Sequence, residues 1–221
     1  MIAATDYALV LAAMNRQRFP AYVSYTQRTT ASTSGIVRIF GFGDADESGT
    51  YTVRTSDGVV VERPGTHKGS LWGERSRGGA QESNPVTHPV FDLHCYVPQS
   101  EERAPFNGRE ALRFDLAPVR SKTCGNADPS DHDTPFTTLY ADPSTYRPLG
   151  VTGFFNDSHV KVDLAETFAT IDGRTLPARI TVSIKGSGLM FWLHVHAEQT
   201  YENYQFEISR RQAGPSKPQV R

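Results

Sequence analysis

Hydrophobic and polar positions alternate through most of this chain, and only its first segment repeats at helical spacing. Tyr7, Val10, Leu11 and Met14 fall at i, i+3, i+4 and i+7, one face of a helix. Thr5 or Asp6 is a suitable N-cap, and Pro20 closes the segment, because a proline disfavours helix at the residue before it. From residue 21 onward, short runs rich in β-branched and aromatic residues are separated by turn signals, the pattern of an all-β region. The expected strands are 22–29, 36–41, 50–55, 59–62, 91–97 and 111–116, then 137–140, 149–155, 160–164, 178–184 and 189–201. Ser56-Asp57-Gly58, Asn156-Asp157 and Ile171-Asp172-Gly173 place residues tolerant of positive φ between apolar runs.

Within the runs, one face stands out. Phe91, Leu93, Cys95 and Val97 alternate, as do Val160, Val162 and Leu164, then Ile180, Val182 and Ile184, and finally Leu189, Phe191, Leu193, Val195 and Ala197. A large antiparallel sheet with one apolar face therefore needs cover on that face. The run 186–195 is apolar on both faces at once. Its second face, carrying Met190 and Trp192, needs a loop, a partner or a ligand over it. Two segments interrupt the rhythm. Residues 62–89 hold five glycines, three prolines and a few apolar residues, Leu71 and Trp72 among them, and residues 120–135 form a second polar loop. The expected fold is mainly β (α+β): a curved antiparallel sheet or incomplete barrel with an N-terminal helix and long covering loops. Residues 1–212 read as one domain and 213–221 as a tail.

Composition narrows the function. The 221 residues suit one domain, and 12 Phe with 9 Tyr argue against a disordered chain. Twenty-three basic against 24 acidic residues, with no basic block, offer no electrostatic footprint for nucleic acid. No apolar run approaches the roughly 20 residues of a membrane-crossing helix. Residues 1–14 carry no Lys or Arg and do not read as a secretory signal, so an exported protein would be one whose signal has been removed.

Few residues suggest chemistry. Cys95 and Cys124 are the only cysteines and lie in no CxxC, which favours a disulfide and an oxidising compartment; the alternative is one buried and one loop thiol. His194 and His196 share a strand face with Glu198 beyond them, a ligand geometry for a metal, and Asp131-His132-Asp133 offers further donors. The same side chains suit a solvent-facing strand, and that reading is favoured. No nucleophile elbow, HExxH or phosphate loop is present, and Gly41-Phe42-Gly43 suits a bulge or turn. Asp163 and Glu166 invite an acid–base pair but are expected as ordinary outward residues on a strand and its end. No enzyme activity, metal or cofactor is expected.

The order of elements resembles a known family. The residues that carry this are the helix running into Phe19-Pro20-Ala21-Tyr22-Val23-Ser24-Tyr25-Thr26-Gln27, the turn Asp142-Pro143-Ser144-Thr145, the strand Val160-Lys161-Val162-Asp163-Leu164, and Ile171-Asp172-Gly173-Arg174-Thr175-Leu176-Pro177-Ala178. Together they resemble the LolA/LolB-like superfamily of periplasmic lipoprotein carriers and outer-membrane lipoprotein-sorting proteins. The resemblance implies a half-barrel whose apolar concave face, closed by helices, binds acyl chains or another hydrophobic ligand. Val162, Leu164, Val182, Ile184, Leu189, Phe191, Leu193 and Val195 would line it, in the periplasm or outside the cell, with a lipid or an envelope protein as partner. Two departures stand out: residues 62–89 are too rich in Gly and Pro to form covering helices, and the family's lid-closing arginine has no matching position. A second expectation is an interaction module using the 62–89 loop.

Overall fold

A computed structural model describes residues 5–35, 44–56, 60–62, 65–68, 93–119, 124, 138–156, 159–188 and 191–207. Among these residues one α-helix, α1 (Thr5–Asn15), precedes eleven strands. The first four are β1 (Tyr22–Gly35), β2 (Ala45–Arg54), β3 (Val60–Glu62) and β4 (Gly65–Lys68). A 3-10 turn, Leu93–Cys95, leads into β5 (Tyr96–Phe106), β6 (Arg109–Pro118), β7 (Thr138–Ala141) and β8 (Pro148–Asn156). The long strands β9 (Val160–Ile171), β10 (Arg174–Gly188) and β11 (Phe191–Glu207) end the described chain. The 36–41 expectation lies outside the described residues, as do the tail and the loop tips carrying Ser56-Asp57-Gly58 and Asn156-Asp157 beyond Ser56 and Asn156.

All the described strands belong to one antiparallel sheet in the order β3-β2-β1-β11-β10-β9-β8-β7-β6-β5, with β4 also pairing β2. From β5 to β11 the chain meanders between neighbours. Then β1 docks on β11, so the first and last strands lie side by side in the middle of the sheet. The ends, β3 and β5, do not pair with one another, which leaves a curved, open sheet. Asp172 and Gly173, at φ 48° and 75°, make the tight β9–β10 turn read from the sequence. Asn107 and Gly108, at φ 48° and 78°, make the equivalent β5–β6 turn, which the sequence reading passed over.

Three expectations need correction. Residues 91–97 are no continuous strand: Leu93–Cys95 is a 3-10 turn, and β5 starts at Tyr96 and runs on to Phe106, leaving Val97 43% exposed. The supposed structureless stretch 62–89 includes β4, paired with β2 from Asp46↔Lys68 to Gly49↔Gly65. The strands expected over 178–184 and 189–201 have shifted ends: β10 runs from Arg174 to Gly188 and β11 from Phe191 to Glu207, paired at Gly188↔Phe191. In addition, α1 already contains Thr5 and Asp6, so neither caps it from outside.

Helix α1 covers one half of the sheet's inner face as its apolar spacing predicts. Tyr7 and Val10 are buried with Leu93, Leu112, Phe114, Leu116, Leu139, Ala141 and Val151, while Leu11 and Met14 pack at the margin. The Tyr7 hydroxyl donates to the Leu93 carbonyl at 2.8 Å, tying the helix to the turn before β5. Cys95 in that turn is disulfide-bonded to Cys124 with a Cα separation of 5.4 Å. A second cluster on the same face joins Val23, Tyr25, Tyr51, Val53, Leu176, Ile180 and Tyr201 from β1, β2, β10 and β11. Leu164 touches both clusters.

Candidate functional site

Register decides which side chains share the inner face. Ile184 on β10 stands opposite Val162 on β9 and Val195 on β11, Val182 opposite Leu164 and Ala197, and Gly186 opposite Leu193. Six of the expected lining residues, Val162, Leu164, Val182, Ile184, Leu193 and Val195, therefore form one apolar lane across three strands. All six are half-buried, unlike the fully buried core under the helix. Leu189 lies outside the described residues, and for Phe191 only the backbone pairing with Gly188 is described.

Following the lane along β9 leads to Glu166. Its register partners are Val151 on β8 and Ile180 on β10, both core residues, so Glu166 faces inward where the two clusters meet. It is 1% exposed, and neither carboxylate oxygen has a hydrogen-bond partner among the described residues. Burial without compensation disfavours the charged form and pushes its pKa up to about 7. This overturns the expectation of an outward residue. Asp163, one of the opposite parity, does face outward at 49% side-chain exposure, 3.9 Å from Lys161. The two carboxylates sit on opposite faces and cannot work as a pair.

Beside Glu166 the second cluster is lined with phenols. Tyr25 stacks on Tyr51 with ring centroids 5.6 Å apart and meets Tyr201 and Tyr204 at 5.7 Å each. Tyr201 and Tyr204 are three apart in sequence yet share a face, because Asn203 at φ 55° is an extra residue where the β1 register jumps from Ser24↔Gln205 to Thr26↔Glu202. The Tyr204 hydroxyl donates to the Pro177 carbonyl at 2.8 Å. Burial, with Tyr25 and Glu166 nearby, holds both phenols well above the usual tyrosine range.

The outer face is polar. His194 and His196 project there, exposed, opposite Ser34 and Ser32 of β1, and Glu198 lies 3.7 Å from Arg179. Hollows on this face of about 410 Å³, lined by Thr26, Arg28, Glu198 and Glu202 among others, and of about 350 Å³, which includes His196 and Asp163, have mixed walls. Among the described residues no group of three or more potential metal ligands comes together; Asp131-His132-Asp133 lies outside them. Trp192 is 59% exposed on the outer side, opposite Ser187, so the inner-face helix does not cover it; Met190 and Trp72 lie outside the described residues. The Trp192 backbone packs against Gly35 (φ 92°), where a Cβ would come within 2.1 Å of its carbonyl oxygen.

The class that emerges is an open antiparallel half-barrel with an N-terminal helix over part of its apolar inner face. Solved structures similar to this chain include a DUF1329 family protein from Desulfovibrio piger (TM-score 0.49, 11% identity, 94% of both chains). A domain from Vibrio parahaemolyticus, described as an outer membrane lipoprotein-sorting protein, is similar at TM-score 0.43 and 12% identity over 93% of both chains. No protein-family model and no curated protein matches the chain.

Proposed function

We propose that this protein binds and carries a lipid, a lipoprotein acyl chain or another hydrophobic ligand in the cell envelope, without catalysing a reaction. The observation that carries this reading is the half-buried lane of Val162, Leu164, Val182, Ile184, Leu193 and Val195, continuous with a fully buried core. A ligand on that lane gains about 25 cal/mol for each Å² of apolar surface it removes from water. The Cys95–Cys124 disulfide favours an oxidising compartment such as the periplasm. No helix among the described residues is long and apolar enough to cross a membrane.

The test is native mass spectrometry of protein exported to a periplasm, followed by lipid analysis of the same sample under denaturing conditions. An acyl species near one per chain is the expected result, lost when Val162 and Ile184 are both changed to Asp. An apo mass, with no uptake of added lipid, overturns the reading. That outcome favours a protein-interaction module, for which the exposed Trp192 and the 62–89 segment are the surfaces to delete first.

A further inference from the structure

The buried carboxylate at the end of the lane is unexplained by hydrophobic carriage alone. Structural need would put Leu or Ile at position 166, between Val151 and Ile180. A carboxylate there, 1% exposed and with both oxygens lacking partners among the described residues, destabilises the fold unless something donates to it. Its position also has direction. Leu164 and then Val162 follow it on the same face of β9, so an apolar path of six residues, roughly 20 Å at about 3.4 Å per residue, runs from Glu166 towards Val160. Val182, Ile184, Val195 and Leu193 flank that path, and Tyr25, Tyr201 and Tyr204 wall its inner end.

We propose, resting on the ligand-carriage reading, that Glu166 is the polar terminus of this path and that the ligand is an elongated apolar molecule entering with a hydrogen-bond donor, a hydroxyl or an amine, in front. The donor reaches the carboxylate by displacing the side chains over it, and the apolar body then lies along the lane towards the open rim. A fatty acid of the same length is disfavoured, because its carboxylate would meet another in a site with little water to separate them. Glu166 thus sets which hydrophobic molecule is accepted, while the lane sets that it is hydrophobic.

The experiment is equilibrium dialysis of the full chain at pH 8 with radiolabelled hexadecanol, hexadecylamine and palmitate, each below its aggregation limit. Wild type is expected to hold the alcohol and the amine about tenfold or more tighter than the acid. Glu166→Gln is expected to weaken the amine and strengthen palmitate, narrowing that gap to about threefold or less while hexadecanol changes little. Equal binding of all three compounds, or a preference for palmitate in wild type, overturns the role of Glu166 and leaves ligand carriage standing. Failure of all three to bind removes both. The wild-type preferences need no variant, so they decide the matter even if Glu166→Gln folds poorly.

Discussion

The two halves of the inner face are made of the same kinds of residue but end in different states. On β6 to β8, Phe114, Leu139 and Val151 are 0% exposed beneath α1. On β9 to β11, Val162, Ile184 and Val195 alternate just as regularly and stay half-buried. Over the first group lies α1, which is 11 residues long, roughly 16 Å at 1.5 Å per residue, too short to reach across ten strands in a row. An apolar stripe thus becomes core or candidate binding surface according to what is laid over it, and its own composition does not decide.

Substitution should split the halves most sharply. Phe114→Ala is expected to lower stability by about 3–5 kcal/mol, against roughly 1 kcal/mol for Val195→Ala in the lane, as read from urea unfolding. Equal losses would mean that the lane is as tightly packed as the covered half. Next in size is the disulfide beneath the helix anchor. Opening Cys95–Cys124, 29 residues apart, by Cys→Ser at both positions should cost roughly 3–4 kcal/mol on the chain-entropy model. Since Leu93, two residues before Cys95, receives the Tyr7 hydroxyl, hydrogen exchange should rise in α1 more than in β9.

The smallest of the three effects concerns the join between the halves. Glu166 keeps its proton to about pH 7 when folded, against an ordinary 4.5, so the native state binds more protons than the unfolded state between these values. Stability then falls as pH rises from about 4.5 to 7, by about 3 kcal/mol in total, and is flat with respect to this group on either side. Glu166→Gln should remove that slope and leave the variant more stable than wild type at pH 8 in thermal melts. A slope that survives the substitution would place its source elsewhere.

Much of the architecture was legible in the sequence. The helix face of Tyr7, Val10, Leu11 and Met14, the Asp172-Gly173 turn and the shared face of Val162, Val182 and Ile184 follow from local periodicity and turn chemistry, and the disulfide from the number and spacing of the cysteines. What escaped has physical reasons. Strand β5 carries Pro98, Pro105 and three charged residues because it is an edge, where prolines and charges discourage further pairing, so it does not look like a strand. That disguise also hid the Asn107-Gly108 turn. Glu166 was misplaced because strand β9 was ended at Leu164. The alternation in fact continues through Phe168, and following it would have put the carboxylate inside. Tyr204 was out of reach, since its inward direction depends on the extra residue at Asn203, which no period reveals.

The pairing of β1 with β11 carries a consequence for how the molecule is made. Tyr22 lies beside Glu207, and Gly35 beside Leu193, so β1 is completed only by β11, which is made after every other described strand. The meander from β5 to β11 can assemble from neighbouring hairpins, whereas β1 and β2 must wait, edges bare, for most of the chain to arrive. A strand with Val23 and Tyr25 on one side and unsatisfied amides along its rim is a sticky intermediate during that wait. Newly synthesised chains should therefore need a holding chaperone until β11 appears, and truncation before Phe191 should yield aggregates rather than a smaller fold.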